Sequence, residues 1–178
     1  MTVVRTERLE LRRLTVADAA FVLELVNDPD WVRHIGDRGV RTTAEAEDYL
    51  RRGPLAMYEK FGFGLWAVVP ASGGEPLGIC GLIKRDSLPD VDVGYAFLPR
   101  YRGQGYAREA VAASLAHGRD VFGLRRIVAI TSPDNERSVR LLTGLGLREE
   151  ARVRLSADGG ESRLFAWNGE GGGAAGAG

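Results

Sequence analysis

The stretch VDVGYAFLPRYRGQGYAREA, residues 91–110, joins a strand-like segment to a helix-like segment through a loop with two glycines. Val91 to Leu98 alternates in side-chain character with a period of two, which is typical of a strand. From Gly105 onward, small and apolar residues recur at intervals of three and four, which indicates a helix to about Phe122. The chain therefore carries a strand, a glycine-containing loop and a helix in direct succession.

The loop has the features of an anion-binding site. Gly103 and Gly105 remove side chains where a ligand would otherwise clash, and the first turn of a helix carries N–H groups without an intrahelical partner. Those groups lie at the positive end of the helix dipole, and Arg100, Arg102 and Arg108 add positive charge. A pyrophosphate fits this description, but the bare loop is equally consistent with a turn that only joins strand to helix.

Two common phosphate-binding motifs do not fit this loop. A P-loop needs Gly, four residues and then Gly-Lys-Ser/Thr, and the sequence contains no such run. A dinucleotide fingerprint needs a third glycine where Arg108 stands, and the strand before the loop belongs to a predicted meander. The expected pyrophosphate site is therefore of another type.

The segments around the loop predict a mixed sheet. Strand-like runs at 65–69, 77–84 and 91–98 have connections too short for a crossover helix, so they should form an antiparallel meander. The run at 127–131 follows a whole helix and can lie parallel to the strand before that helix. Other expected elements are a first strand around Leu9 and Leu11, helices at 15–27, 42–52 and 135–145, and a hairpin of 147–155 with 162–167.

Composition and charge limit the classes of protein. A chain of 178 residues that is 44% hydrophobic can bury one core, and we expect a domain over 1–168 with a disordered Gly/Ala-rich tail over 169–178. The balance of 24 Lys and Arg against 24 Asp and Glu argues against nucleic acid and acidic membranes as partners, and no apolar run approaches the ~20 residues of a membrane span. The lone Cys80 is expected to be a buried thiol, which favours a cytoplasmic location.

Several runs resemble the GNAT superfamily of N-acetyltransferases. Arg102, Gly105 and Ala107 stand at the defining positions of that family's pyrophosphate motif, Arg/Gln-x-x-Gly-x-Gly/Ala. The runs TERLELR at 6–12 and DVGY at 92–95 are similar to the RimJ/RimL branch, which includes ribosomal-protein N-terminal acetyltransferases. The later runs PDN at 133–135 and LLTGLGL at 141–147, with Ser138 between them, resemble the family's Asn-x-x-Ser/Ala…Leu-Gly-Phe segment.

The resemblance implies an α/β (α+β) fold whose mixed, mostly antiparallel sheet is splayed at the fourth strand and flanked by helices. It also implies that acetyl-CoA, the cosubstrate, lies in the splay. The residues it assigns to acetyl-CoA come from the end of that strand, the loop and the next helix: Phe97, Leu98, Arg102, Gly103, Gly105, Tyr106, Ala107 and Asn135. Asn135 serves equally well as a plain helix N-cap.

Acetyl transfer to an amine needs a base and an acid. An alkyl amine is mostly protonated near neutral pH, and a departing thiolate leaves more easily near a proton donor. Asp92 shares a strand face with Gly94 and Ala96, and relatives place a glutamate at this point, so Asp92 is the candidate base through water; the alternative is an exposed hairpin aspartate. Leu142 stands where many members carry a tyrosine, so the candidate acid is Ser138; the alternative is a solvent-facing helix serine.

We expect an N-acetyltransferase that acts on a primary amine, with a protein N-terminal α-amine as one candidate acceptor. Two alternatives stay open: an enzyme for a small amine such as a polyamine, an amino acid or an aminoglycoside, and an acyl-CoA-binding module without turnover. Trp31, His34 and the segment 33–40 are expected to set acceptor specificity. His34 and His117 have no metal-ligand spacing, so no metal is expected. A monomer and a homodimer are both consistent with the sequence.

Overall fold

The computed structural model describes residues 1–157 and 159–169, and these residues form an eight-stranded sheet. The strands are β1 (Thr2–Arg5), β2 (Leu9–Arg13), β3 (Leu65–Pro70), β4 (Gly78–Ile83), β5 (Asp92–Phe97), β6 (Ile127–Thr131), β7 (Arg148–Arg154) and β8 (Glu161–Trp167). They lie in the order β1-β2-β3-β4-β5-β6-β8-β7. Within the described sheet, only β5 and β6 pair in parallel. The mixed, mostly antiparallel sheet is as predicted.

The described residues also form six α-helices. These are α1 (Ala19–Val26), α2 (Pro29–His34), α3 (Thr43–Leu50), α4 (Ala56–Phe61), α5 (Tyr106–Phe122) and α6 (Glu136–Gly144). The predicted end near Arg52 is wrong, because α3 continues into α4 through a π-helical turn that contains Pro54. Proline has no N–H to donate. The wider π-helical turn lacks the backbone hydrogen bond that this N–H would otherwise make, so Pro54 is tolerated there.

A second correction concerns the segment after α1. Asp28, Pro29 and Asp30 were expected to end a helix, and α1 does end before them. However, Pro29 is the first residue of α2, and the Asp28 side chain accepts a hydrogen bond from the N–H of Trp31 (3.4 Å). Proline is well suited to a first helical position, because its fixed φ matches the helix. The same residues therefore close one helix and open the next.

The splay of the sheet lies between β5 and β6. In the described sheet these strands share one register pair, Asp92 with Val128, and they diverge beyond it. The splayed strand is the fifth rather than the fourth, because β1 adds a strand that the sequence did not predict. The closing hairpin forms as β7 and β8, although Asp158 in its turn lies outside the described residues. The expected tail, apart from Gly169, also lies outside them.

Alternate strand residues face hydrophobic clusters on the two sides of the sheet. Trp66 and Cys80 pack toward α5 on one side, and Ala67 and Ile79 pack with α1 and α3 on the other. Cys80 is fully buried, as expected, and burial raises the pKa of its thiol to about 12. Among the described residues, no helix is long and apolar enough to cross a membrane. The sheet is therefore held between two helical layers, with its splay open at one end.

Candidate functional site

The gap between β5 and β6 opens into a cavity of about 1800 Å³. One wall comes from β5, the loop after β6 and the first turn of α6; the other comes from α2, α3 and the loop between them. Trp31, His34 and Arg38, which were expected to contribute to acceptor specificity, line this second wall. The cavity therefore adjoins both the expected cofactor residues and the expected acceptor segment.

The loop before α5 presents a row of backbone amides. Gly103 and Gly105 have φ values of +77° and +82°, which glycine adopts without strain. Among the described residues, no partner is found for the N–H groups of Gly103, Gly105, Tyr106 and Ala107. Arg102, which the resemblance also assigned to acetyl-CoA, does not add its amide to this row, because its N–H donates to the carbonyl of Pro99 (3.2 Å).

Two of the three arginines that were expected to add charge to this row are paired with carboxylates instead. Arg100 pairs with Glu24 of α1 (Nη1–Oε1, 2.5 Å). Arg102 pairs with two aspartates at the start of α2, and Arg108 donates to the carbonyl of Gly144 (3.2 Å). Attraction of an anion to the loop therefore depends on the unpaired amides, the helix dipole and the charge of Arg108, which is bonded to a carbonyl and not to a carboxylate.

The run TERLELR, noted for its family resemblance, holds the loop in place. Arg8 donates from Nη1 to the carbonyl of Gln104 (2.8 Å) and from Nε to Glu109 of α5 (2.8 Å). Thr6 donates to the other carboxylate oxygen of Glu109 (2.5 Å). The connection between β1 and β2 thus clasps the loop and the first turn of α5, a role that the sequence did not reveal.

The backbone of β5 shows which of its groups face the gap. Backbone groups of successive strand residues point to opposite sides. The carbonyl of Val91 accepts from Val128 of β6 (2.9 Å), whereas the N–H of Leu98 donates to Leu77 on the β4 side (3.0 Å). The backbone groups of Tyr95 and Phe97 therefore face the gap. Leu98, whose backbone was also expected to contact the cofactor, is a correction, because its N–H is turned away from the gap. The carbonyl of Phe97 accepts from Arg102 Nε (3.1 Å), which leaves its N–H toward the gap.

Two hydroxyl groups meet at the gap. Ser138 is hydrogen bonded through Oγ to the hydroxyl of Tyr95, and it is only 9% exposed, so it is not a solvent-facing helix serine. Its N–H donates to Oδ1 of Asn135, the N-cap of α6 (3.2 Å). Burial raises the pKa of Tyr95 to about 12, so the phenol stays protonated at neutral pH. The pair can therefore donate a proton or a hydrogen bond.

Tyr95 is the functional candidate that sequence reasoning missed. The period of two placed it on the face opposite Asp92, away from the residues considered for catalysis. The structure places α6 on that face, and because β5 has no partner beside the gap, side chains from both faces of the strand line the cavity. The signal that could have found Tyr95 was the DVGY run itself, which already carried part of the family resemblance.

Asp92 lies at the point where β5 and β6 part. It is 1% exposed, so the alternative of an exposed hairpin aspartate is wrong. Its Oδ1 accepts from Nε of Arg85 (3.0 Å). Burial raises the pKa of Asp92, and the positive charge of Arg85 opposes that rise. A carboxylate with a raised pKa is better matched to accepting a proton near neutral pH than an ordinary one.

The histidines do not form a metal site with their neighbours. Within the described part of the chain, no group of His, Cys, Asp and Glu residues has the arrangement of a metal site. His117 lies edge-on to Trp66, with 5.5 Å between the ring centres, and burial lowers its pKa. His34 is hydrogen bonded through Nδ1 to Ser132 Oγ (2.6 Å). His117 thus belongs to the packing of α5, and His34 to the cavity wall.

Comparisons with known proteins agree with this geometry. A family model described as "Acetyltransferase (GNAT) domain" matches residues 8–148. The Bacillus subtilis protein described as "Uncharacterized N-acetyltransferase YnaD" is 29% identical over 147 residues, which cover 83% of each chain. The structure of an acetyltransferase from Agrobacterium tumefaciens superposes with a TM-score of 0.80 at 23% identity, over 94% of both chains. A structure titled RimL, a ribosomal L7/L12 α-N-protein acetyltransferase, superposes with a TM-score of 0.78 at 15% identity, over 94% of both.

The raised pKa of Asp92 predicts how stability depends on pH. Protonation of Asp92 stabilises the folded state; this contribution is complete below the ordinary aspartate pKa of about 3.9 and is lost as pH rises through the raised folded-state value. The free energy of unfolding of the wild type, relative to Asp92→Asn, should therefore fall as the pH rises from about 4 through the raised pKa of Asp92. Urea unfolding of both proteins across this range measures it. A difference that stays constant with pH would contradict the assignment, and Arg85→Gln, which removes the opposing charge, should enlarge the fall.

Proposed function

This chain belongs to the GNAT acetyltransferase family, and from that premise we propose that it transfers the acetyl group of acetyl-CoA to a primary amine, with a protein N-terminal α-amine as the acceptor. The observation that carries the proposal is the row of unpaired loop amides beside a gap that exposes one edge of β5. An extended ligand with a diphosphate at one end matches that combination. The acceptor class is supported by the TERLELR run and by the fold shared with the ribosomal-protein enzyme.

The residues present fit acetyl-CoA in two respects. The amides of Gly103, Gly105, Tyr106 and Ala107 would hold the pyrophosphate, because backbone donors at a helix start suit an anion. The gap-facing backbone of Tyr95 and Phe97 would pair with the amide groups of the pantetheine arm, and the Asn135 side-chain N–H group offers a further donor. In this arrangement Asn135 caps the helix and contacts the cofactor at the same time.

The reaction would use the two polar positions on either side of β5. The amine loses a proton through water to Asp92, and its nitrogen then forms the new bond to the acetyl carbon as the bond between that carbon and sulfur breaks. The sulfur takes its proton from the Tyr95 and Ser138 pair, and the second proton of the nitrogen, released as the amide forms, returns through water to that pair. One hydroxyl hydrogen is used between those two residues, so the other is available to the leaving group.

We place the protein in the cytoplasm, as a monomer or a homodimer. The location is supported by the buried, unpaired thiol of Cys80, which suits a reducing compartment. The same compartment would supply both the acetyl donor and newly made protein chains.

A substrate screen tests the acceptor class. We expect release of free CoA thiol when acetyl-CoA is combined with peptides that have free N-termini, and little release with spermidine, free amino acids or an aminoglycoside. A preference for one of the small amines would replace the proposed acceptor. Thermal stabilisation by acetyl-CoA with no thiol release for any amine would instead indicate a binding module without turnover.

The loop amides predict the effect of a carboxylate placed at Gly105. Gly105→Glu should weaken acetyl-CoA binding by at least about tenfold, because it adds negative charge where N–H groups would hold the pyrophosphate. Gly123→Glu at the other end of α5 is the control for backbone strain, because Gly123 also has a positive φ (+66°); it has open space around it, whereas a Cβ at Gly105 would lie 3.2 Å from Arg8 Nη2. Titration calorimetry with acetyl-CoA compares them; equal affinities of the two variants would locate the cofactor elsewhere.

The hydroxyl pair predicts a loss of turnover without a loss of cofactor binding. Ser138→Ala and Tyr95→Phe should each lower kcat by about 10²-fold or more, the lower end for acid assistance, and change acetyl-CoA affinity by less than about threefold. Because the two groups share one hydrogen bond, the double variant should be little worse than the more damaged single variant. The control is Thr143→Ala, an exposed hydroxyl on the same helix. Turnover of both single variants close to that of the wild type would assign the proton to water.

A further inference from the structure

The short helix α2 bridges the two sides of the splay and is held at both ends. Its first residues contact the side that carries β5 and the cofactor loop. Its last residues contact the loop after β6, on the other side of the gap. Between these ends, Trp31 is 5% exposed and lines the cavity. The helix α2 is thus anchored at both ends and forms part of the cavity wall that faces Tyr95 and Ser138.

The first anchor is the guanidinium of Arg102. Its Nη2 lies 2.8 Å from Asp28 Oδ2, its Nη1 lies 2.5 Å from Asp30 Oδ2, and its Nε donates to the carbonyl of Phe97 (3.1 Å). All three guanidinium nitrogens are therefore engaged by β5 and α2. The Asp28 side chain is 7% exposed and that of Arg102 is 23% exposed, so water screens this pair less than it screens a surface ion pair.

The second anchor lies at the other end of α2. Arg33 Nη2 contacts Asp134 Oδ2 at 2.8 Å, and His34 Nδ1 is hydrogen bonded to Ser132 Oγ at 2.6 Å. Ser132 and Asp134 belong to the loop that leads into Asn135 and the first turn of α6. The position of α2 is thus fixed at one end by contacts to β5. At the other end it is fixed by contacts to the loop that leads into the helix carrying Ser138.

We propose that Arg102 is a positioning residue for the amine acceptor, because it fixes α2 in the acceptor wall, and that its side chain is not a ligand of the pyrophosphate. The inference rests on the proposed function, since it concerns the amine of that same reaction. Two contacts to carboxylates and one to a carbonyl leave the guanidinium turned toward α2 and β5. The unpaired backbone amides of the loop remain available to bind the anion.

The two interpretations of Arg102 predict opposite effects of removing its carboxylate partners. If the side chain were a phosphate ligand, Asp28→Asn/Asp30→Asn would free it and tighten acetyl-CoA binding. If it anchors α2, the same change should leave acetyl-CoA affinity within about threefold and raise the KM of the amine by about tenfold, because a misplaced wall misorients the acceptor. Asp30→Asn alone, at a carboxylate that is 52% exposed, should have a smaller effect in the same direction and little risk to folding.

The kinetic experiment uses the full chain and a peptide with a free N-terminus as the probe amine. Arg102→Gln should raise the peptide KM by about tenfold, and Arg102→Lys should not restore it, because an ammonium group cannot reach three acceptors in a planar arrangement. Arg100→Gln is the matched control, since it removes the same charge from the same loop but its partner lies on α1. Tighter acetyl-CoA binding with an unchanged peptide KM in Asp28→Asn/Asp30→Asn would overturn the inference.

Hydrogen exchange supplies a readout that needs no turnover. Mass spectrometry should show faster amide exchange in 28–36 for Arg102→Gln and for Asp28→Asn/Asp30→Asn, with unchanged exchange in Arg100→Gln. If the wild type acetylates no amine, the proposed function fails, and the exchange of 28–36 still decides whether Arg102 holds α2. Exchange in that segment equal to that of the wild type in both anchor variants would show that Arg102 does not.

Discussion

The parting of β5 from β6 is the constraint on which the rest of the molecule depends. Two parallel strands meet at Asp92 and Val128 and then separate, so gap-facing N–H and C=O groups of β5 lose the partners that a continuous sheet would give them. Unpaired backbone groups away from water are costly, and such an edge is suited to an extended ligand that supplies the missing bonds. The loop amides, the hydroxyl pair and the buried carboxylate are all arranged around this edge.

Several charged side chains near the site are paired with opposite charges on neighbouring elements. Arg100 and Arg102 are compensated by carboxylates of α1 and α2, and Asp92 by Arg85. At the loop before α5, the unpaired amides are backbone dipoles, whose direction is fixed by the helix and does not depend on flexible side chains. Such fixed dipoles need no reorganisation when a charged ligand arrives.

Local patterns predicted the features that depend on neighbouring residues. The short connections between strand-like runs gave the meander, and the glycines with the helix start gave the amide row. What could not be predicted depends on contacts distant in the chain: Tyr95 meets a serine on α6, and Arg102 meets aspartates on α2. The end of the first helix before Asp28 was predicted correctly, but α2 was missed for a different reason, since proline is a valid signal both for ending one helix and for beginning another.

The clasp of Arg8 and Thr6 on the loop has a consequence for how the chain is made. Residues at 6 and 8 hold groups at 104 and 109, so the contact order at the loop before α5 is high. During synthesis the β1–β2 hairpin leaves the ribosome long before the loop that it holds. Until that loop emerges, Arg8 and Thr6 lack their partners Gln104 and Glu109. The loop is therefore expected to be held in place only after most of the polypeptide has emerged.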